Sequence, residues 1–291
     1  MKSKLLIISS SLFFGIVLAI LRLICFGNFI DIENGFFKPG YSYLGLILAA
    51  FVVVLVVVYS VIALKTSKFP IAPRRGSKTI AVASLILGVV CLINFFGNFN
   101  MVLNKYTLII MVLLFADAAY FILLGLSQFH LFKLSSKYAI IPLFYFLAKL
   151  GYCFLTSFGI VGSQQINFEM FCYVVLVLYF LVFSRYLAKS KFKKIRKYFY
   201  ILSLVAVVVT IGYGLSDMLS FAVYQNFAFA RDLNAFDALI FFSVGLYIVV
   251  FIGASFLPER VYIKHGDSYL NPKIENNEKV EWDSLEEKEE K

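Results

Sequence analysis

Residues 199–222 read FYILSLVAVVVTIGYGLSDMLSFA, a run of 24 residues in which Asp217 is the only charged side chain. A transmembrane α-helix needs about 20 consecutive apolar residues, so this run is long enough to cross a bilayer. A charge at membrane depth costs about 3 kcal/mol or more, and it persists where it lines a cavity, finds a partner or does chemistry. The stretch therefore predicts a membrane helix whose aspartate has a structural or functional role.

Similar apolar runs recur along the whole chain, which is 61% hydrophobic and 15% charged. We predict an all-α, polytopic integral membrane protein with about eight transmembrane helices in one bundle. The predicted spans are 5–26, 41–64, 79–98, 107–127, 138–158, 169–187, 199–222 and 236–257. No polar segment between them is long enough for a soluble domain, so residues 1–257 are predicted to form one transmembrane domain.

The basic residues collect on alternate connections, sixteen on one set against three on the other. The positive-inside rule then places both termini in the cytoplasm. The formal charge of +10 follows from this asymmetry. It therefore indicates contact with anionic membrane lipids and gives no reason to expect nucleic acid as a partner. We expect the plasma membrane of a bacterium as the location.

Residues 258–291 differ from the rest of the chain. Their last part, 275–291, holds eight acidic and three basic side chains. Such a segment buries too little apolar surface to offset the entropy of ordering it. We predict a disordered cytoplasmic tail, whose partner the sequence does not identify.

Metal and cofactor sites have no support in the sequence. Four cysteines lie within or beside apolar runs, none forms a Cys-x-x-Cys pair, and the chain has two histidines. The spacing of these residues supplies no ligand set for a zinc or haem site. We predict buried free thiols, no metal and no cofactor.

Polar side chains recur at helical spacing on three of the predicted spans, where residues three, four or seven apart share a face. A second intramembrane aspartate, Asp117, lies on one of these faces. Lipid-facing surfaces do not tolerate such stripes, so we expect the three faces to converge on an interior polar cavity. The stripes are Asp117, Tyr120, Leu124 and Gln128; Tyr145, Lys149, Tyr152 and Thr156; and Thr210, Tyr213, Asp217, Ser220 and Tyr224.

Lys149 has two interpretations at this point. It contributes to a functional cavity, or it forms a structural ion pair with Asp117 or Asp217. Arg22 and Glu169 lie near span ends, where long side chains reach water, and no chemistry is assigned to them.

Two stretches give the chain a resemblance to a known family. LLFADAAYFILLGLSQF surrounds Asp117, and IGYGLSDMLSFAVYQNF surrounds Asp217. Two carboxylates in separate spans, the later one in a Ser-Asp pair, resemble the YhhN-type lysoplasmalogenases. The resemblance covers the fourth to the eighth span. Where the family usually has Gly-Asp at the first site, this chain has Ala116-Asp117.

The resemblance implies hydrolysis of the vinyl-ether bond of a lysoplasmalogen, with Asp117 and Asp217 as catalytic residues. Desolvation favours a neutral carboxyl group, which is the form that a general acid needs. Asp117 is the expected acid and Asp217 the expected base. Tyr120, Tyr213 and Lys149 are expected to bind the lysophospholipid substrate or to position water.

Two other function classes fit the same residues. A small proton-coupled transporter would use the aspartates and Lys149 to relay charge, although no inverted repeat is visible. A non-catalytic sensor or assembly module would instead act through its basic connections or its acidic tail.

Overall fold

A computed structural model describes residues 2–30, 37–65, 77–99, 105–129, 131–132, 134–156, 164–188, 195–224 and 235–256. Within these ranges the protein is an all-α polytopic membrane bundle, and eight of its helices are long and apolar enough to cross a membrane. This confirms the predicted fold class. The helices are α1 (Lys2–Asn28), α2 (Tyr43–Lys65), α3 (Lys78–Asn98), α4 (Lys105–Gln128), α5 (Ile141–Thr156), α6 (Gln164–Leu187), α7 (Ile195–Tyr224) and α8 (Ala235–Phe256).

The helix bounds follow the predicted spans closely, with the largest shift at α6. That helix begins at Gln164, whereas the predicted span began at 169. Glu169 interrupts the apolar signal and so predicts the start of the span there, but the helix begins more than a turn before this residue. The predicted tail, 258–291, and the basic connections 66–76 and 189–194 lie outside the described residues, so the predictions about them remain predictions.

Six helices form a closed ring in which each packs against two neighbours, in the order α3, α4, α5, α6, α7, α8 and back to α3. α4 thus faces α7 across the ring, and α5 faces α8. α1 and α2 pack on α7 from outside the ring. Because helices surround α7 on several sides, 83% of its membrane-spanning window is buried. A helix that is apolar apart from one polar stripe suits that buried position.

Small residues allow these helices to approach closely, as is typical of membrane bundles. A side-chain carbon added at Gly214 of α7 would lie 2.5 Å from the backbone nitrogen of Phe242 and 2.7 Å from the carbonyl oxygen of Ala238, both on α8. Only glycine permits that contact. Gly212, two residues earlier, lies against the side chain of Leu18 of α1, which would be 2.6 Å from an added carbon.

Aromatic side chains fill much of the interior of the ring. Phe121 of α4 lies 5.3 Å, centroid to centroid, from Tyr247 of α8, and Phe146 of α5 stacks on Phe180 of α6 at 5.3 Å. Such pairs add about 0.5–1.5 kcal/mol each beyond the area that they bury. The four cysteines are buried free thiols, as predicted.

Candidate functional site

Charged side chains cluster at one end of the bundle, where the odd-numbered helices finish and α6 and α8 begin. We call this the outer end, after the topology that the basic residues predict. Five ionisable residues from five helices lie there: Arg22 of α1, Lys149 of α5, Glu169 of α6, Asp217 of α7 and Asp237 of α8.

Asp217 forms an ion pair with Arg22. Arg22 Nη1 lies 3.3 Å from Asp217 Oδ1 and donates a hydrogen bond of 2.7 Å to Ser216 Oγ. Both charged side chains are buried, with side-chain exposures of 4% and 5%. A buried pair of this kind is costly to break, because either partner alone is an uncompensated charge.

Three aromatic rings complete the surroundings of Arg22. Its guanidinium carbon lies 4.6 Å from the ring centroids of Phe168 and Tyr213, and 5.1 Å from that of Phe26. The expectation that Arg22 reaches water at a span end is therefore wrong. α1 continues to Asn28, more than a turn beyond Arg22, and α7 offers both a carboxylate and a ring to the guanidinium.

A second ion pair joins three helices of the ring. Lys149 Nζ lies 2.8 Å from Asp237 Oδ2, and Asn94 of α3 donates to Asp237 Oδ1 at 2.9 Å. Asn98 in turn donates to Asn94 Oδ1 at 2.7 Å. The structural ion pair expected for Lys149 is present, but its partner is neither Asp117 nor Asp217. Asp237 lies in the first turn of α8, and its carboxylate points between α3 and α5.

Glu169 directly follows Phe168, whose ring lies against the Arg22 guanidinium. It is close enough to interact electrostatically with members of both ion pairs, and Tyr173 on the same helix donates a hydrogen bond to it. We assigned no chemistry to Glu169 from the sequence, because a glutamate in the second turn of a helix resembles a terminal charge.

Asp117 lies deeper in the ring, in the middle of α4. It is 1% exposed, and its Oδ1 has no hydrogen-bond partner in the described structure. Its electrostatic neighbours include Cys91 of α3, Tyr120 of α4 and Tyr145 of α5. A buried carboxyl oxygen without a partner is costly when charged, so this environment favours the protonated acid.

The predicted site residues all lie in the interior, but they divide into three groups. Asp217 and Tyr213 surround Arg22, Lys149 bonds Asp237, and Asp117 lies near Tyr120. Asp117 and Asp217 are on α4 and α7, opposite helices of the ring. Each aspartate therefore has its own set of neighbours.

The predicted stripe on α7 faces inward, since the four of its members that can be described are buried: Thr210, Tyr213, Asp217 and Ser220. The stripe on α5 is less regular. Tyr145 is buried, whereas Thr156 at the helix end is exposed. The side chain of Tyr224 lies outside the described residues.

Asp117 and the outer-end charges lie among acidic, hydroxyl and cationic groups. Groups of these kinds can bind a lipid headgroup or transfer a proton.

Comparison of the chain with family models, with curated proteins and with solved structures finds no match.

Proposed function

We propose that this protein is a membrane-embedded hydrolase that cleaves the vinyl-ether bond of lysoplasmalogen-like lipids, with Asp117 as its general acid. The observation that supports the proposal is the buried carboxyl group of Asp117, which has an oxygen without a hydrogen-bond partner. An acid held in its neutral form can deliver a proton, whereas a carboxylate in an ion pair cannot. The resemblance around Asp117 and Asp217 supplies the substrate class.

The reaction would proceed in three steps. Asp117 gives its proton to the double-bond carbon that is not bonded to oxygen, and the electron pair of the double bond forms the new C–H bond. Water attacks the resulting oxocarbenium ion and loses a proton to a base, which gives a hemiacetal. The hemiacetal then breaks its C–O bond: the base returns its proton to the leaving glycerol oxygen, the hemiacetal hydroxyl gives its proton to Asp117, and a fatty aldehyde and the free hydroxyl of the glycerophospho-headgroup result.

Asp217 is the base that the resemblance implies. Its ion pair with Arg22 favours the ionised carboxylate that a base requires. Glu169 is a second candidate, because it interacts electrostatically with Asp217 and with Lys149. The variants Asp217→Asn and Glu169→Gln distinguish the two, since loss of the base removes activity whereas loss of a neighbouring charge reduces it.

The remaining expected site residues fit substrate binding. Tyr120 is close to Asp117, and Lys149 and Tyr213 lie among the outer-end charges. A single-chain lipid would enter from the bilayer and leave its phosphate headgroup near the cations of the outer end.

We also propose that the protein lies in the plasma membrane of a bacterium with both termini in the cytoplasm, because its basic residues collect on alternate connections.

The test is aldehyde release by the purified protein from a lysophospholipid with a 1-alkenyl chain. The matched 1-alkyl lysolipid has no vinyl ether and should release none. We expect Asp117→Asn to abolish aldehyde release, while Asp267→Asn, the same chemical change in the predicted tail, leaves it unchanged. Wild-type protein that binds the alkenyl lipid and yields no aldehyde would overturn the proposal.

A non-catalytic membrane module is the second candidate, and the ion pairs favour it. Asp217 and Asp237 both have cationic partners, which accounts for their presence in the membrane without chemistry. Under this alternative, aspartate variants change the stability of the protein and no lipid is turned over. Removal of residues 275–291 would then release a binding partner.

A further inference from the structure

The six-helix ring separates Asp117 from the lipid. Each ring helix packs against two neighbours, and Asp117 is 1% exposed. A lipid chain that reaches this carboxyl group from the bilayer must therefore pass between two helices of the ring. We call the contact between two neighbouring ring helices a seam. The six seams are not closed in the same way.

Glycines close two of the seams by backbone contact. Between α3 and α4, an added side-chain carbon at Gly88 would lie 3.0 Å from the backbone nitrogen of Ile122, and one at Gly125 would lie 2.9 Å from the carbonyl oxygen of Ala81. Gly214 makes the same kind of approach between α7 and α8. Membrane helices depend on such close packing for their association, so these two seams are costly to open.

Ring stacks and a hydrogen bond close three more seams. Tyr186 of α6 stacks on Phe199 of α7 with a centroid distance of 4.2 Å. Phe146 attaches α5 to α6 through its stacked ring pair. Asn94 of α3 donates its hydrogen bond to Asp237 of α8. Opening any of these seams breaks a specific contact between the two helices that form it.

The sixth seam lies between α4 and α5. Among the described residues, it is the smallest of the six contacts between neighbouring ring helices. Gly151, the glycine of α5, has nothing within 4 Å of an added carbon, so it does not serve a close helix approach. Asp117 is carried by α4 itself. Separation of α4 from α5 would therefore open the interior beside the helix that bears this carboxyl group.

The fifth span is built so that it can bend. α5 has 16 residues, or about 24 Å of helix, which is shorter than the hydrocarbon core of about 30 Å. A 3₁₀ helix, Ser136–Ile140, completes the span at the inner end, and Pro142 lies in the first turn of α5. A 3₁₀ segment within a span often marks a hinge, and proline has no N–H to continue the backbone ladder across the joint.

The outer half of α5 is held by the ion pair between Lys149 and Asp237, which crosses the ring to α8. The side chains of this pair are 17% and 15% exposed, whereas those of Arg22 and Asp217 are 4% and 5% exposed. An ion pair that solvent reaches costs less to separate than a fully buried one. Asn94 would still donate to Asp237 after separation, so the carboxylate would keep a partner.

We propose that the α4–α5 seam is a lateral portal through which a single lipid chain reaches Asp117, and that the Lys149–Asp237 ion pair holds this portal closed. While the pair is intact, α5 is tied to α8. When the pair separates, α5 bends away from α4, and the stacked ring of Phe146 keeps it on α6. The inference rests on the proposed function only for the identity of the lipid that enters.

The test measures how fast an apolar reagent in the bilayer reaches Asp117. Dicyclohexylcarbodiimide dissolves in lipid and reacts with protonated carboxyl groups. The O–H of the acid adds across one C=N bond, and the acyl group then moves to nitrogen, which gives a stable acylurea without a leaving group. Full-length protein in phosphatidylcholine vesicles is treated with the reagent, and the labelled fraction at Asp117 is followed by peptide mass spectrometry.

We expect slow labelling of the wild type and severalfold faster labelling of Lys149→Met, which cannot form the ion pair. Asp237→Asn breaks the same pair from α8 while it keeps an oxygen for Asn94, and it should give the same increase. Lys78→Met, the same change as Lys149→Met on an exposed lysine at the start of α3, should label as the wild type does.

Gly214→Ala controls for general loosening of the bundle, because it disturbs the α7–α8 seam instead. It should not accelerate labelling. Lys149→Met and Asp237→Asn proteins that label no faster than the wild type would overturn the inference. An equal acceleration in Gly214→Ala would also overturn it, as would the absence of labelling at Asp117 in every variant.

Failure of the portal and failure of the hydrolase are distinguishable, because the labelling needs no vinyl-ether lipid. Aldehyde release without an effect of Lys149 on labelling would leave the hydrolase and remove the portal. Faster labelling of the Lys149 variant without aldehyde release in the wild type would do the reverse. With saturating lipid we expect aldehyde release to depend on the chemistry at Asp117 and not on entry, so the two rates report separate steps.

Discussion

Lys149 Nζ lies 2.8 Å from Asp237 Oδ2 and so joins α5 to α8, two helices that face each other across the six-helix ring. Asn94 adds α3 to the same carboxylate. One aspartate in the first turn of the last helix therefore holds three separate parts of the chain together. This contact crosses the ring, as does the aromatic contact between Phe121 of α4 and Tyr247 of α8.

Replacing Lys149 by methionine should destabilise the bundle by about 3 kcal/mol. The change leaves Asp237 charged and largely buried, with Asn94 as its remaining partner. The measurement is thermal unfolding of the purified protein in detergent. In the double variant Lys149→Met/Asp237→Leu no charge is left behind, so we expect it to recover most of the loss. A double variant as unstable as the sum of the two single variants would show that the pair is not coupled.

Replacing Arg22 by lysine should lower stability by about 2 kcal/mol, even though the charge is kept. The planar guanidinium of Arg22 hydrogen-bonds Ser216 and pairs with Asp217. It also lies over the rings of Phe168 and Tyr213. The ammonium group of lysine cannot make all of these contacts at once. The same unfolding assay measures the change. The control is Arg185→Lys, on an exposed arginine in the last turn of α6, which should be within about 0.5 kcal/mol of the wild type. Equal effects at both positions would contradict the buried arrangement around Arg22.

Replacing Gly214 by alanine should separate α7 from α8. The added carbon would lie 2.5 Å from a backbone nitrogen, and backbone atoms cannot move aside as a flexible side chain can. We expect a loss of about 1–3 kcal/mol, the range for overpacking of a close-packed core. Gly253→Ala on α8 is the matched control, because an added carbon there meets nothing within 4 Å. Removing that glycine should leave stability equal or raise it by up to about 1 kcal/mol. A Gly214→Ala protein as stable as the wild type would show that α7 and α8 are not in close contact at this position.

The helices could be predicted from the sequence because bilayer thickness and apolar runs determine them almost directly. The inward face of α7 could also be predicted, since Thr210, Tyr213 and Asp217 repeat at helical spacing. These predictions use only local information.

The partners of the charged residues could not be predicted in the same way. Asp237 pairs with a lysine 88 residues earlier, and Asp217 with an arginine 195 residues earlier. Both partners depend on which helices adjoin in the bundle. Asp237 and Arg22 also lie near helix ends, where a charge that reaches water and a charge that is buried give the same sequence pattern. Glu169 gives the same ambiguous pattern, so the sequence places the start of α6 too late in the chain.

We propose Asp117, unlike the aspartates in ion pairs, as the acid that takes part in the reaction. The most direct measurement is the rate of aldehyde release per folded molecule for Asp117→Asn and Asp237→Asn, side by side on the alkenyl lysolipid. We predict that Asp117→Asn is folded and releases no aldehyde, while Asp237→Asn is less stable yet keeps its rate per folded molecule. An Asp117→Asn protein that releases aldehyde at the wild-type rate would show that Asp117 is not the general acid.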